Sequence, residues 1–302
     1  MLLAAVFAGV ALGQDATETI TFRAGVASVR VDAQVMDGQR IVTGLTRDDF
    51  LLYDNNQPVK ASYFDHEREP LTVLLLLDIS GSMSKFLEQM SSTARAALKN
   101  LKPGDQVGVM PFARNTRLAV DFTAAHDTAA GELKNAIRDR TLGSGTQINH
   151  AIRDAAKYFE EKAPVQGRRA VLIVTDNMGV NYQLGDAEVI QALNDANIVC
   201  NSIVVGRARR PNGESKFKNP EFTYANVFDI ADATGGDILK SDRGDEALAQ
   251  ILERIRSRYS LHYPTPGGEP GTQRNIRVEL SPAAKAKFTK AVIRHRKGYT
   301  VR

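Results

Sequence analysis

One cysteine, Cys200, stands among 302 residues, so no internal disulfide can form whatever the compartment. A lone thiol of this kind is expected as a small apolar side chain in a buried strand. An excess of charge of one sign is also missing. The 39 basic and 35 acidic residues leave a formal net charge of +4, too small at this length to argue for nucleic acid, and no such partner is expected. Beyond the first dozen residues no apolar run approaches the ~20 residues needed to span a bilayer as a helix. No cysteine lies near the N-terminus to carry a lipid.

What is present is the composition of a folded soluble protein, 43% apolar and 25% charged. Met1 to Leu12 is small and apolar, and Ala11-Leu12-Gly13 before Gln14 fits the small-x-small cleavage rule. Residues 1–13 are therefore expected to be a signal peptide, and the protein to be secreted or held in the periplasm or cell envelope. A short buried N-terminal helix is the other reading of the same run.

The stretch with most chemical promise is Leu71 to Ser84, an apolar run that stops at Asp78 and continues Ile79-Ser80-Gly81-Ser82-Met83-Ser84. It reads as a buried strand that delivers oxygen atoms to the edge of a sheet. Ala170 to Thr175, ending at Asp176, repeats the pattern. Between and after these, helical spacing at Phe86, Met90, Ala94, Ala97 and Leu98, at 129–138, 148–160, 185–194, 227–233 and 245–258 alternates with strands at 106–112, 198–205 and 238–239. Strands alternating with helices imply a mostly parallel, doubly wound α/β sheet. Residues 116–122 should form an antiparallel edge strand after the Arg114-Asn115 turn.

The two ends read differently. Strands are expected at 29–35, 50–53 and 59–64, and again at 259–263, 276–280 and 292–301. Neither end can bury much apolar surface alone, so residues 14–68 and 258–302 are expected to pair into one β-sandwich with the α/β domain, 69–257, inserted between them.

In open α/β sheets ligands sit outside the carboxyl ends of the strands where strand order reverses. Asp78 and Asp176 end strands there, Ser80 and Ser82 follow the first, and Thr146 precedes a helix. Two carboxylates and three hydroxyls are hard oxygen donors, suited to magnesium or another hard divalent ion and not to zinc or copper. As turn and capping residues, each of the five has a purely structural reading as well.

Asp78-x-Ser80-x-Ser82, then Thr146, then Asp176, in this order, resembles the metal-ion-dependent adhesion site of von Willebrand factor type A domains, over roughly residues 69–257. The resemblance implies that Ser80, Ser82 and Thr146 bind the ion directly and that Asp78 and Asp176 hold metal-bound waters. Mg²⁺, with Mn²⁺ or Ca²⁺ as substitutes, is the implied cofactor, and the implied partner is a protein that presents an Asp or Glu to the metal. Val42 to Phe50 and Arg296-Lys297-Gly298-Tyr299 are similar to exported VWFA-related proteins of acidobacterial genomes, which implies architecture and no defined activity. Asn177 departs from the glycine that often follows the second aspartate.

Met83, Asn177 and His150 are the candidate partner contacts around the site. The basic residues of the 206–219 insert and of the run Lys285 to Lys297 could hold polyanions. Catalysis is not expected. An aspartyl-nucleophile phosphatase needs a second acid where Ser80 stands, and Ser80-Gly81-Ser82 is no nucleophile elbow. The expectation is an adhesion or assembly module, with a structural envelope protein that uses the metal only for its own stability as the alternative and a metal-dependent hydrolase as a more distant one.

Overall fold

The computed structural model describes residues 28–301 except 67, 165, 212–218 and 220. The expected signal peptide and the insert's Lys216 and Lys218 lie outside the described residues. The first stretch holds β1 (Ser28–Asp37), β2 (Arg40–Ile41), β3 (Phe50–Asp54), β4 (Gln57–Val59) and β5 (Tyr63–His66). The middle runs β6 (Leu71–Asp78), α1 (Ser84–Leu98), β7 (Gln106–Phe112), β8 (Val120–Thr123), α2 (His126–Ala136), α3 (Ile148–Lys162), β9 (Arg168–Thr175) and β10 (Val180–Tyr182). It continues with α4 (Asp186–Asp195), β11 (Ile198–Val204), β12 (Phe222–Tyr224), α5 (Val227–Thr234), β13 (Ile238–Lys240) and α6 (Gly244–Arg256). The chain closes with β14 (Tyr259–Pro264), β15 (Gln273–Leu280), α7 (Pro282–Lys287), β16 (Ala291–Arg294) and β17 (Gly298–Thr300).

The middle forms a six-stranded sheet in the order β13-β11-β9-β6-β7-β8, parallel except for the edge strand β8. β6 is buried along its whole length because it is central and covered on both faces. Its side chains alternate accordingly. Val73, Leu75 and Leu77 join the core with α1, α2 and α6, while Leu74 and Leu76 join the one with α3 and α5. Cys200 on β11 is fully buried, and burial pushes its thiol up to about 12.

Strands from both chain ends build two antiparallel sheets. One runs β16-β1-β14-β5 with β2 beside β1, the other β17-β15-β3-β4. Val31, Leu52, Leu261, Val278 and Tyr299 meet in the core between them. Two expected strands are each divided. Residues 59–64 split because β4 stays in the hairpin with β3, turned at Asn55 and Asn56 with positive φ, whereas β5 crosses to pair with β14. Residues 292–301 split where the chain passes α5: Lys297 N–H donates to Ala233 O, and Arg296 reaches Asn197 Oδ1 at 3.0 Å. The expected edge strand 116–122 is reduced to β8 and a single bridge, Phe112 to Thr116.

A charged layer joins the sheets to the α/β unit. Arg168 donates to the carbonyls of Ile255, Arg256 and Arg258 and so satisfies the C-terminal end of α6. Arg258 reaches Gly235 O at 2.7 Å. Gly235 ends α5 with φ 78°, and a Cβ there would fall 2.2 Å from the backbone of His295, so no other residue fits. Burial lowers both Arg168 and Arg258 to about 10, yet both remain charged at neutral pH and face Asp32.

Candidate metal site at the strand switch point

Chain order leaves β6 for β7 on one side and returns to β9 on the other, so the crevice between the carboxyl ends of β6 and β9 is the switch point of the sheet. Asp78 and Asp176 lie on its two sides. Asp78 is fully buried, and each of its oxygens has a partner: Ser80 N–H donates to Oδ1 at 3.0 Å and Thr175 Oγ1–H to Oδ2 at 2.7 Å. Burial raises its pKa, these hydrogen bonds oppose the rise, and the nearby Asp176 charge adds to it.

From Asp78 the chain turns through a short 3-10 segment, Gly81–Met83, which brings the two serines around on its outer side. Ser80 Oγ and Ser82 Oγ are 3.2 Å apart, and Ser82 Oγ–H donates to Asp176 Oδ2 at 2.6 Å. The second oxygen of Asp176 accepts from Met178 N–H at 3.1 Å. Thr146 arrives from the far side of β7. Gln147 N–H is held by Ala113 O just beyond that strand, and Thr146 O packs so closely on the loop after Asp176 that a Cβ on Gly179 would come within 2.7 Å of it. All five expected positions therefore lie at one edge of the sheet, with Ser80, Ser82 and Asp176 in direct hydrogen-bonded sequence.

The donor chemistry fits a hard cation. A hydroxyl that gives its proton to a carboxylate, as Ser82 does, keeps its lone pairs for a metal. Among the described residues no group of three or more His, Cys, Asp and Glu side chains is placed to hold a metal, so any ion here relies on hydroxyl oxygen beside two carboxylates.

Two of the three expected rim residues are placed elsewhere. Met83 is fully buried and packs in the core with Phe86, Leu87 and Met90, so it cannot touch a partner. Asn177 is 9% exposed, and its Oδ1 accepts from Val227 N–H at the start of α5. Its φ of 56° explains the departure from glycine, since asparagine is among the few residues that tolerate this region. His150 is half-buried in the first turn of α3, and burial lowers its pKa. In the polyanion candidates, Arg210 pairs with Asp229 and Asp232 of α5, Arg294 pairs with Asp237, and Arg296 is buried.

Two features escaped the sequence reading. Thr175 links Asp78 to the backbone of Asn177, and a hydroxyl ending an apolar strand was its only signal. The other is the ribbon of β10 and β12, which directly follows the site. Asn181 points inward and accepts from Asn149 N–H, while Val180, Tyr182 and Tyr224 are 36%, 38% and 52% exposed and Met178 is 77% exposed. The alternation in Val180-Asn181-Tyr182 and Phe222-Thr223-Tyr224 was visible, but three residues are too few to stand out as a strand.

Residues 73–179, which contain all five site positions, match the sequence model of the von Willebrand factor type A domain. No curated protein sequence matches the chain. Among solved structures, BatB from Bacteroides thetaiotaomicron, a conserved hypothetical protein, has a TM-score of 0.47 at 21% identity over 61% of this chain and 97% of its own. An aerotolerance-related membrane protein from Bacteroides fragilis has 0.47 at 22% identity over 61% and 98%. A von Willebrand factor type A protein from Catenulispora acidiphila has 0.48 at 13% identity over 87% and 72%.

Proposed function

For a chain with a von Willebrand factor type A domain at its centre, we propose metal-dependent protein binding as the function, in an exported adhesion or assembly protein of the envelope or exterior. Ser80, Ser82 and Thr146 would hold Mg²⁺ through their hydroxyls, with Mn²⁺ or Ca²⁺ able to replace it, and Asp78 and Asp176 would act through bound water. When bound, the ion supplies a Lewis-acid position that an Asp or Glu of the partner can occupy. The observation that carries the reading is the Ser80–Ser82–Asp176 row at the switch point. The β10–β12 ribbon supports it, because a polar residue turned in and apolar ones turned out is the reverse of a surface built only for solubility. Nothing in this chemistry calls for catalysis.

Melting the purified protein with and without Mg²⁺ or Mn²⁺ tests the site. The ion should raise the Tm, and Thr146→Ala and Asp176→Ala should remove the rise. A Tm indifferent to the ion counts against it. A pull-down from the source's envelope fraction, with and without chelator, separates the proposed function from a metal used only for stability, since only the former loses its partner along with the ion.

A further inference from the structure

We propose a second ligand site, for a small multivalent anion carrying phosphate or carboxylate groups, in the cleft between the β1–β2 hairpin and the ends of α1 and α6. The cleft has a volume of about 650 Å³, within the range of ligand pockets. Its charged lining is Arg40, Lys102, Arg254 and Arg256 against the single carboxylate of Glu253. No aromatic ring lines it, which leaves charge and hydrogen bonding, not stacking, as its means of recognition.

The carboxylates behind this lining are divided among several donors. Asp237 serves both Arg254, at 3.2 Å, and Arg294, at 3.3 Å. Asp105 holds Arg256 at 3.1 Å and also accepts from Leu71 N–H and Lys102 N–H, each at 2.8 Å. Asp37 stands 3.6 Å from Arg40, beyond hydrogen-bond reach, and accepts from Lys290 N–H. The carbonyls at the end of α6, which would repel an anion, are covered from the other side by the Arg168 guanidinium. Further positive charge stands nearby, since Lys290, whose N–H reaches Asp37, and Arg294, paired with Asp237, belong to the stretch that pairs with β1.

This cleft lies at the opposite edge of the sheet from the candidate metal site. Asp105 binds the first residue of β6 and Asp78 is its last, a separation of about 23 Å at the usual strand rise. The proposal therefore stands apart from the metal reading and is tested with EDTA present throughout.

The experiment is calorimetric titration of the intact protein with inorganic pyrophosphate and with citrate at low salt. Binding is expected, with affinity falling as salt rises. The double variant Arg40→Glu/Lys102→Glu, whose side chains are exposed, should weaken it by about tenfold or more. Arg40→Lys/Lys102→Arg should keep most of the affinity, and Arg207→Glu, at the metal-site edge of the sheet, should leave it unchanged. Absence of heat with both anions overturns the proposal. So does binding undiminished in the charge-reversed variant, or an equal loss with Arg207→Glu, which would mark diffuse attraction to surface charge.

Discussion

Asp54→Ala should be among the most damaging single substitutions in the β-sheets at the chain ends. Asp54 ends β3 with no exposed surface, and three groups from the C-terminal stretch converge on it. Tyr263 and Tyr299 donate their hydroxyls to Oδ2 at 2.9 and 2.8 Å, and Arg274 Nε–H donates to Oδ1 at 2.5 Å. Tyr263 is completely buried, so losing the carboxylate strands its hydroxyl. Tyr299 keeps Thr265 Oγ at 3.2 Å, and the Arg274 side chain, 15% exposed, can turn to water, so both lose less. With hydrogen bonds to a charged acceptor worth ~1.5–3 kcal/mol and a stranded buried hydroxyl costing ~1–3 kcal/mol, the total is about 4 kcal/mol. Tyr263→Phe alone should cost about 1.5–3 kcal/mol. The double variant should fall short of the sum, because the two changes remove the same contact. Urea unfolding of the four proteins measures this. A loss below about 1 kcal/mol for Asp54→Ala, or strict additivity with Tyr263→Phe, would refute the idea that this carboxylate ties the two ends of the chain together.

Gly179→Ala should shrink the proposed metal-induced rise in Tm while leaving all five proposed site residues in the sequence, because the new Cβ, 2.7 Å from Thr146 O, must push that residue away; overpacking of this kind costs about 1–3 kcal/mol. Acid should destabilise the protein through His295, which burial lowers to about 4. The unfolded chain binds its proton near pH 6.5 and the folded chain only near 4, so stability is full above 6.5. It falls by up to about 3 kcal/mol as pH drops to 4, and His295→Gln should flatten that slope in unfolding measured across the window. Tyr224→Ser with Val180→Thr should leave the metal-induced Tm shift intact but reduce capture of the partner in a pull-down; equal capture would remove the ribbon from the proposed function.

The α/β half was legible because its strands are buried on both faces and its helices are long enough to show their period. β6, α1, α3 and β9 appear within a few residues of where the pattern places them. The pairing of the two ends was also legible, from the argument that neither could form a core alone. Its details were not. Whether residues 57–66 make one strand or two depends on which sheet each half joins, and nothing local in Val59 to Phe64 records that crossing. At the site, the oxygen-bearing residues could be named from their order along the chain. Met83 and Asn177 could not be excluded as contacts, because adjacency in sequence does not say which way a side chain points out of a tight turn.

In the proposed site the balance of charge sets what the metal can do. Three hydroxyls contribute no net charge. The two carboxylates already serve protein donors, Asp78 those of Ser80 and Thr175, Asp176 those of Ser82 and Met178. A divalent ion held mainly by neutral oxygen keeps most of its pull on an outside carboxylate, so the metal should bind weakly by itself and more tightly once the partner is present. Linkage makes this reciprocal: whatever factor the metal adds to the partner's affinity, the partner adds to the metal's. A metal used only for stability would show no such coupling, so titrating Mn²⁺ with and without the captured partner discriminates between the two roles even where both raise the Tm.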